Sequence, residues 1–190
     1  MLSGYGSVVI AAYTVGVRLL AFTWIPGTAF GTAASTLVGQ ALGAGRRAAA
    51  VQAGWRASHL SLVVSVVLGG ACAAMPRQLA GLFTNDAALI EELVPFMIVL
   101  ALVQPALQSH FALGGAHRGA GDTFTPFVAA AIGNWALRVP LAFVFAKIFD
   151  APVLWIWLVI LGDHVARWIW LAISFKQGRW ANTHREEHAW

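Results

Sequence analysis

The chain is short of charge, short of cysteine, and without a recognisable catalytic signature. Charged residues make up 11% of its 190 residues, against about 25% in a soluble domain. With 59% hydrophobic residues and a mean hydropathy of +0.72, too little polar surface remains to cover the chain in water. An ordinary soluble domain is thereby excluded, and an integral membrane protein is expected. The single cysteine, Cys72, rules out an intramolecular disulfide and reads as a small buried side chain in an apolar run. No Gly-rich phosphate loop follows a strand pattern, and neither a nucleophile elbow nor a CxxC pair occurs, so nothing supports soluble enzyme chemistry. The start, Met1-Leu2-Ser3-Gly4-Tyr5-Gly6, lacks the positive region of a signal peptide. One sequence match is discounted. His184-Arg185-Glu186-Glu187-His188 has the spacing of a zinc-peptidase helix but lies in a charged tail, with no third ligand or walled cavity to serve it.

What is present is a set of long apolar runs. Five spans are expected, at roughly 8–38, 55–75, 93–113, 124–148 and 153–175, each able to cross about 30 Å of hydrocarbon with some 20 residues. The fold class is all-α, a polytopic helical bundle. Residues 1–175 form the membrane domain and 176–190 a polar tail. The first run is over-long, and Pro26-Gly27 supplies a cause for a kink, since proline has no amide donor. Pro95, Pro105 and Pro140 mark further bends. Small residues recur at four-residue spacing: Gly27 with Gly31, Ser35 with Gly39, Gly39 with Gly43. With Gly69, Gly70, Gly114, Gly115 and Gly133 they predict close helix packing.

The net charge of +4 does not point to nucleic acid, because the basic residues sit at span ends and not on one face. They obey the positive-inside bias instead. Arg46, Arg47, Arg56, Arg118, Lys176, Arg179 and Arg185 fall on one side. Only Arg77 and Lys147 fall on the other, together with Asp86, Glu91, Glu92 and Asp150. The chain's N-terminus is expected outside and its C-terminus in the cytoplasm. An uncharged outside start followed by an odd number of spans leads to the expectation of a missing upstream span.

Polar groups within spans are costly and mark function by default. Arg18 and Arg138 lie within spans and read equally well as structural anchors or as cavity groups; Asn134 precedes Arg138 by one turn. Asp163 and Arg167, spaced i,i+4, read first as a structural ion pair, with His164 beside them. Gln40, Gln104, Gln108 and Asn134 either line a transport path or hydrogen-bond between helices. The candidate path residues are thus Arg18, Gln40, Gln104, Gln108, Asn134, Arg138 and Asp163. No catalytic, cofactor-binding or metal-ligating set is expected. Trp155, Trp157 and Trp180 are expected in interfacial belts.

Several segments resemble the multidrug and toxic compound extrusion (MATE) transporters. They are Ala11-Ala12-Tyr13-Thr14-Val15-Gly16-Val17-Arg18, then Ile25-Pro26-Gly27, then Val38-Gly39-Gln40-Ala41-Leu42-Gly43-Ala44-Gly45. Later come Gly115 to Thr123 with Pro126, Arg138-Val139-Pro140-Leu141-Ala142, and Phe175-Lys176-Gln177-Gly178-Arg179-Trp180. The resemblance covers nearly the whole chain, in the family's order. It implies helices eight to twelve of a twelve-helix protein, with the first lobe and the seventh helix as absent partners. It also implies a plasma (inner) membrane location, H⁺ or Na⁺ as coupling ion with no other cofactor, and export of drug-like small molecules by alternating access. Family members with second-lobe coupling carry acids in the seventh and tenth helices. Here Gln104-Pro105-Ala106-Leu107-Gln108 carries none, with proline where those members place aspartate. A coupling acid in the first lobe, as in the DinF-like branch, fits better. Two alternatives stand beside this reading: a lipid-linked oligosaccharide flippase, whose anionic substrate would suit Arg18 and Arg138, and a non-transporting membrane subunit or remnant.

Overall fold

The computed structural model describes residues 7–149, 151–178 and 180. Met1–Gly6, Asp150, Arg179 and the tail from 181, with its His184–His188 motif and Arg185, lie outside the described residues. Helices run over α1 (Ser7–Gly43), α2 (Arg47–Ala74), α3 (Pro76–Gly81) and α4 (Ala87–Gly119). A continuous helical segment follows: α5 (Phe124–Ala131), a π-helical stretch (Ile132–Arg138), α6 (Val139–Phe143) and a second π-helical stretch (Val144–Ile148). The last helix is α7 (Val153–Gln177). Among the described residues, four helical segments are long and apolar enough to cross a membrane: Arg47–Ala74, Ala87–Gly119, Phe124–Ile148 and Leu154–Gln177. Helix α1, at 37 residues, is about 55 Å long at 1.5 Å per residue. It runs unbroken through Pro26, as α4 does through Pro95 and Pro105.

Helix α4 is the hub. It packs against α1 and α2 on one side and α7 on the other, and also touches α3 and α5. Its buried side chains point all round the helix, as expected of a helix enclosed by others. Lipid gives helices no hydrophobic reason to associate, so backbone must approach backbone. The α1–α4 contact does this. A Cβ added to Gly115 would lie 2.0 Å from the Gly31 carbonyl oxygen, and one on Gly119 would lie 2.2 Å from the Ser35 oxygen. From the other side, a Cβ on Gly31 would meet the Phe111 oxygen at 2.9 Å. The α2–α4 contact follows the same logic: α2 buries only Ala50, Gly54, Ala57, Ser58, Ser61, Ser65 and Gly69. A Cβ on Gly69 would sit 2.7 Å from the Ala101 oxygen. The larger apolar side chains of α2, such as Val63, Val66 and Val67, face outward. Gly43 and Gly70 meet nothing, so not every small residue in the pattern is a contact.

Two helices end in the same way. At the end of α1, Gly45 takes φ 70°, its N–H donates to the Leu42 oxygen at 2.8 Å, and the Arg46 N–H donates to the Ala41 oxygen at 2.8 Å. At the end of α4, Gly121 takes φ 82°, with its N–H on the Arg118 oxygen and the Asp122 N–H on the His117 oxygen, both at 3.0 Å. Each is a Schellman cap, which needs glycine at the left-handed position. Gly178 ends α7 with φ 68°. Beyond it Trp180 folds back: its ring stacks on Phe175, its Nε1–H donates to the Phe175 oxygen at 3.0 Å, and Arg47 lies over it at 5.8 Å. The ends of α1, α4 and α7 therefore lie at one end of the bundle. Trp180 and Trp157 are 1% exposed, contrary to their expected place in an interfacial belt; each is packed inside the protein instead. Trp155 is exposed.

The α4 cap carries a polar tie to α7. His117 is fully buried, with Nδ1 2.9 Å from Asp122 Oδ2 and Nε2 3.3 Å from the Leu171 oxygen. Asp122 also accepts from the Thr125 N–H at 3.0 Å. Burial pushes the Asp122 carboxyl up, but the Thr125 N–H and hydroxyl and the His117 ring outweigh it and hold the group below its ordinary 3.8. A carboxyl lowered on folding stabilises above its unfolded value, and that contribution is lost as pH falls through the folded one.

Two outcomes follow for the detergent-solubilised protein. Gly115→Val should lower stability by about 1–3 kcal/mol or more, whereas Gly70→Ala, facing open space, should stay within about 0.5 kcal/mol of the parent. Thermal unfolding followed by tryptophan fluorescence measures both, and a Gly115→Val protein as stable as the parent would contradict the close helix contact. Asp122→Asn should lower the melting temperature at pH 7, and the gap to the parent should close as pH drops below 3.8. A gap that widens with acid would refute the assigned sign.

Candidate functional site

The buried polar groups of the bundle gather on α4 and α7, with three further serines on α2. On α7, Asp163 is 1% exposed and takes Arg167 in a two-point ion pair, Nε to Oδ1 at 2.7 Å and Nη2 to Oδ2 at 2.5 Å. Arg167 Nη2 also donates to Asn134 Oδ1 at 2.8 Å across the helix interface. Gly133 makes room for this: a Cβ there would lie 2.2 Å from Asp163 Oδ1 and 2.4 Å from Arg167 Nε. Buried charges persist only when paired and hydrogen-bonded. Here both oxygens of Asp163 are engaged, so a proton or cation claiming Asp163 must displace the guanidinium.

Asn134 and Arg138 are not joined by a side-chain hydrogen bond among the described residues. The backbone between them is π-helical, and the Val139 N–H reaches back to the Asn134 oxygen, five residues away. The wider turn rotates the two side chains apart relative to an α-helix. Pro140 sits just beyond this stretch and lacks the amide that an α-helical bond would need. Arg138 is half-buried and has no side-chain hydrogen bond or ion pair among the described residues.

A second group lies where α4 faces α1. Gln104 and Gln108 are fully buried, and Gln108 Nε2 donates to Gln104 Oε1 at 3.2 Å. Gly27 opens the space opposite: a Cβ there would stand 3.0 Å from Gln108 Oε1. Arg18 and Gln40 join neither group; both side chains are exposed on α1. Of the seven residues singled out in the sequence, then, Asp163 and Asn134 share one cluster and Gln104 and Gln108 another. Arg18, Gln40 and Arg138 stand apart.

Sequence reasoning missed His110 and gave His164 little weight. The two rings lie 5.1 Å apart between α4 and α7, at 30°. His110 Nδ1 donates to the Ala106 oxygen at 3.2 Å, while neither ring nitrogen of His164 has a partner among the described residues. His110 also packs on Phe111, which reaches Trp24 on α1 at 6.3 Å. The available signal was positional: His110 lies two residues past Gln108 in a span, and His164 adjoins Asp163. Among the described residues no three His, Cys, Asp or Glu side chains come together as metal ligands would.

The Asp163–Arg167 pair yields a test. Asp163→Leu alone, which strands Arg167, should cost about 3–5 kcal/mol. Combining Asp163→Leu with Arg167→Met should recover most of the loss, measured by thermal unfolding in detergent. Equal damage from the single and double changes would argue against a self-contained pair.

Residues 1–144 match the sequence model of the MatE family. The chain is 29% identical over 178 residues to a protein of Thermotoga maritima named "Probable multidrug resistance protein NorM", covering 92% of this chain and 38% of that one. A protein of the same name in Brucella suis is 30% identical over 163 residues, covering 83% of this chain and 35% of that one. The fold matches the crystal structure of the eukaryotic MATE transporter AtDTX14 with a TM-score of 0.86 at 21% identity, over 94% of this chain and 40% of that one. The chain thus spans between a third and two fifths of the length of these relatives. With the family model matching 144 of the 190 residues, and with relatives and fold in agreement, the chain belongs to the MATE family of multi-pass membrane transporters, which are not enzymes.

Proposed function

We propose that this chain supplies part of the second lobe of a multidrug efflux transporter that exports drug-like organic compounds in exchange for H⁺ or Na⁺. The observation that carries the reading is the similarity, along most of the chain, to the multidrug resistance relatives of Thermotoga maritima and Brucella suis. On this reading a first lobe and one further helix complete the transporter, since the relatives are more than twice as long. Residues 1–175 serve as membrane domain and the residues from 176 as a cytoplasmic tail.

Charge supports an orientation. Arg46, Arg47, Arg118 and Lys176 lie at the end of the bundle where α1, α4 and α7 finish. Asp86, Glu91 and Glu92 lie at the opposite end, where Arg77 is already paired with Glu91 at 3.0 Å. That gathering of positive charge favours the first end as cytoplasmic, in an inner membrane. Gln104 and Gln108, closed between α4 and α1, would meet a substrate only where those helices part. Arg18, Gln40, Asn134 and Arg138 would act from exposed or half-buried positions. Asp163, held by Arg167, is poorly placed to take up a coupling ion, which favours a coupling acid in the first lobe, as in the DinF-like branch.

The test joins this chain to the first lobe and seventh helix of the Thermotoga maritima relative. Vesicles carrying the joined protein should move ethidium when a pH or Na⁺ gradient is imposed, and vesicles carrying this chain alone should not. A monodisperse joined protein that moves no dye, or that moves a lipid-linked sugar instead, would defeat the proposal.

A further inference from the structure

Helices α1 and α2 diverge on the face turned away from α4 and leave a groove of about 500 Å³. Its lower part is lined by Phe30, Leu37 and Leu60, and its mouth by Arg46, Gln52 and Arg56. Leu37 and Leu60 are more than half exposed into it. The vertical arrangement is fixed by the helix rise. From Arg47 to Leu60 is 13 residues of α2, or about 20 Å. One leaflet with its headgroups is about that thick.

The mouth carries unbalanced positive charge. The first acidic residue in the sequence is Asp86, so neither α1 nor α2 brings a counter-charge. Among the described residues, Arg46 and Arg56 have no side-chain hydrogen bond or ion pair. Arg47 is turned elsewhere, over the Trp180 ring. The one described carboxylate at this end, Asp122, is held by His117 and Thr125. Arg46 stands at the end of the groove and Arg56 about 14 Å further along α2 from Arg47, one turn before Leu60, with a long side chain that can reach back toward the headgroups. Two unpaired guanidiniums beside an apolar slot match one kind of occupant: a molecule with a phosphate at one end and a hydrocarbon chain at the other.

We propose that the α1–α2 groove binds an anionic phospholipid, its phosphate between Arg46 and Arg56 and one acyl chain along Phe30, Leu37 and Leu60. Gln52 stands beside the phosphate as a hydrogen-bond donor. The inference rests on the chain's membrane location and not on what it transports. The bound lipid is a fixed component of the lobe, and it turns Gln40, which also lines this groove, from a transport-path residue into a lipid contact.

Native mass spectrometry of the delipidated chain in detergent tests this, with phosphatidylglycerol and phosphatidylcholine titrated separately. Phosphatidylglycerol adducts should appear at lower concentration. Arg46→Gln combined with Arg56→Gln should weaken them about tenfold or more, while Arg77→Gln at the other end of the bundle should leave them unchanged. Leu60→Trp fills the slot without altering charge and should also remove the adduct, so the result does not hang on the folding of the double variant. Equal binding of the two lipids, or an adduct indifferent to both sets of changes, would overturn the proposal. So would displacement of the lipid by millimolar inorganic phosphate, which would assign the arginines to a soluble anion. A dimer that takes up no lipid would give the groove to a second copy of the chain.

Discussion

Everything in this bundle hangs on the place where α1 and α4 touch through their backbones. Gly31 and Gly115 remove the side chains that would hold the two helices apart, and Gly119 lets the same contact continue to Ser35. In water, burial of apolar surface would bring such helices together whatever their shape. In lipid that drive is missing, and the gain comes from many short dispersion contacts that need near-zero separation. Because α4 also carries α2 and α7, the position of each outer helix is set relative to this one contact.

The second organising constraint is the disposal of charge. The described structure treats its ionisable groups in three ways. Asp163 and Arg167 cancel one another inside the bundle. Asp122 is absorbed into the α4 cap with His117. Arg46 and Arg56 are left exposed and without an ion pair among the described residues. Burial goes with pairing: Asp163 and Arg167, closed inside the bundle, engage one another fully, whereas the arginines that stay open to the surroundings do not.

Much of this was legible in the sequence, for particular reasons. The apolar runs announce a helical bundle because a spanning backbone must satisfy itself. The four-residue recurrence of Gly27, Gly31, Ser35 and Gly39 announces a contact face, although it does not say which helix is met. The spacing of Asp163 and Arg167 announces their pair. Asn134 makes a hydrogen bond between helices, one of the two roles its position suggests, but the spacing does not name the partner: on an α-helical wheel it lies beside Arg138, and in the π-helical turns ahead of Pro140 it meets Arg167. Periodicity cannot show a change of period caused by tertiary packing. Likewise, nothing in one-dimensional spacing places His110 against His164, because that contact depends on how α4 and α7 are rotated. The burial of Trp180 depends in the same way on the chain turning back at Gly178, beyond the end of the last apolar run.

The partners in the Asp163–Arg167 pair sit four residues apart on one helix, and this bears on how the protein is made. Lone charges at mid-span resist insertion by about 2.5–3.5 kcal/mol each. An i,i+4 pair needs only a helical turn to form, so the pair on α7 does not depend on another helix for its charge balance. Asn134, from the segment before α7, adds a bond that does require the two to pack together. The middle of the helix thereby enters the membrane with its charges balanced, the counter-ion of Arg167 being supplied in cis.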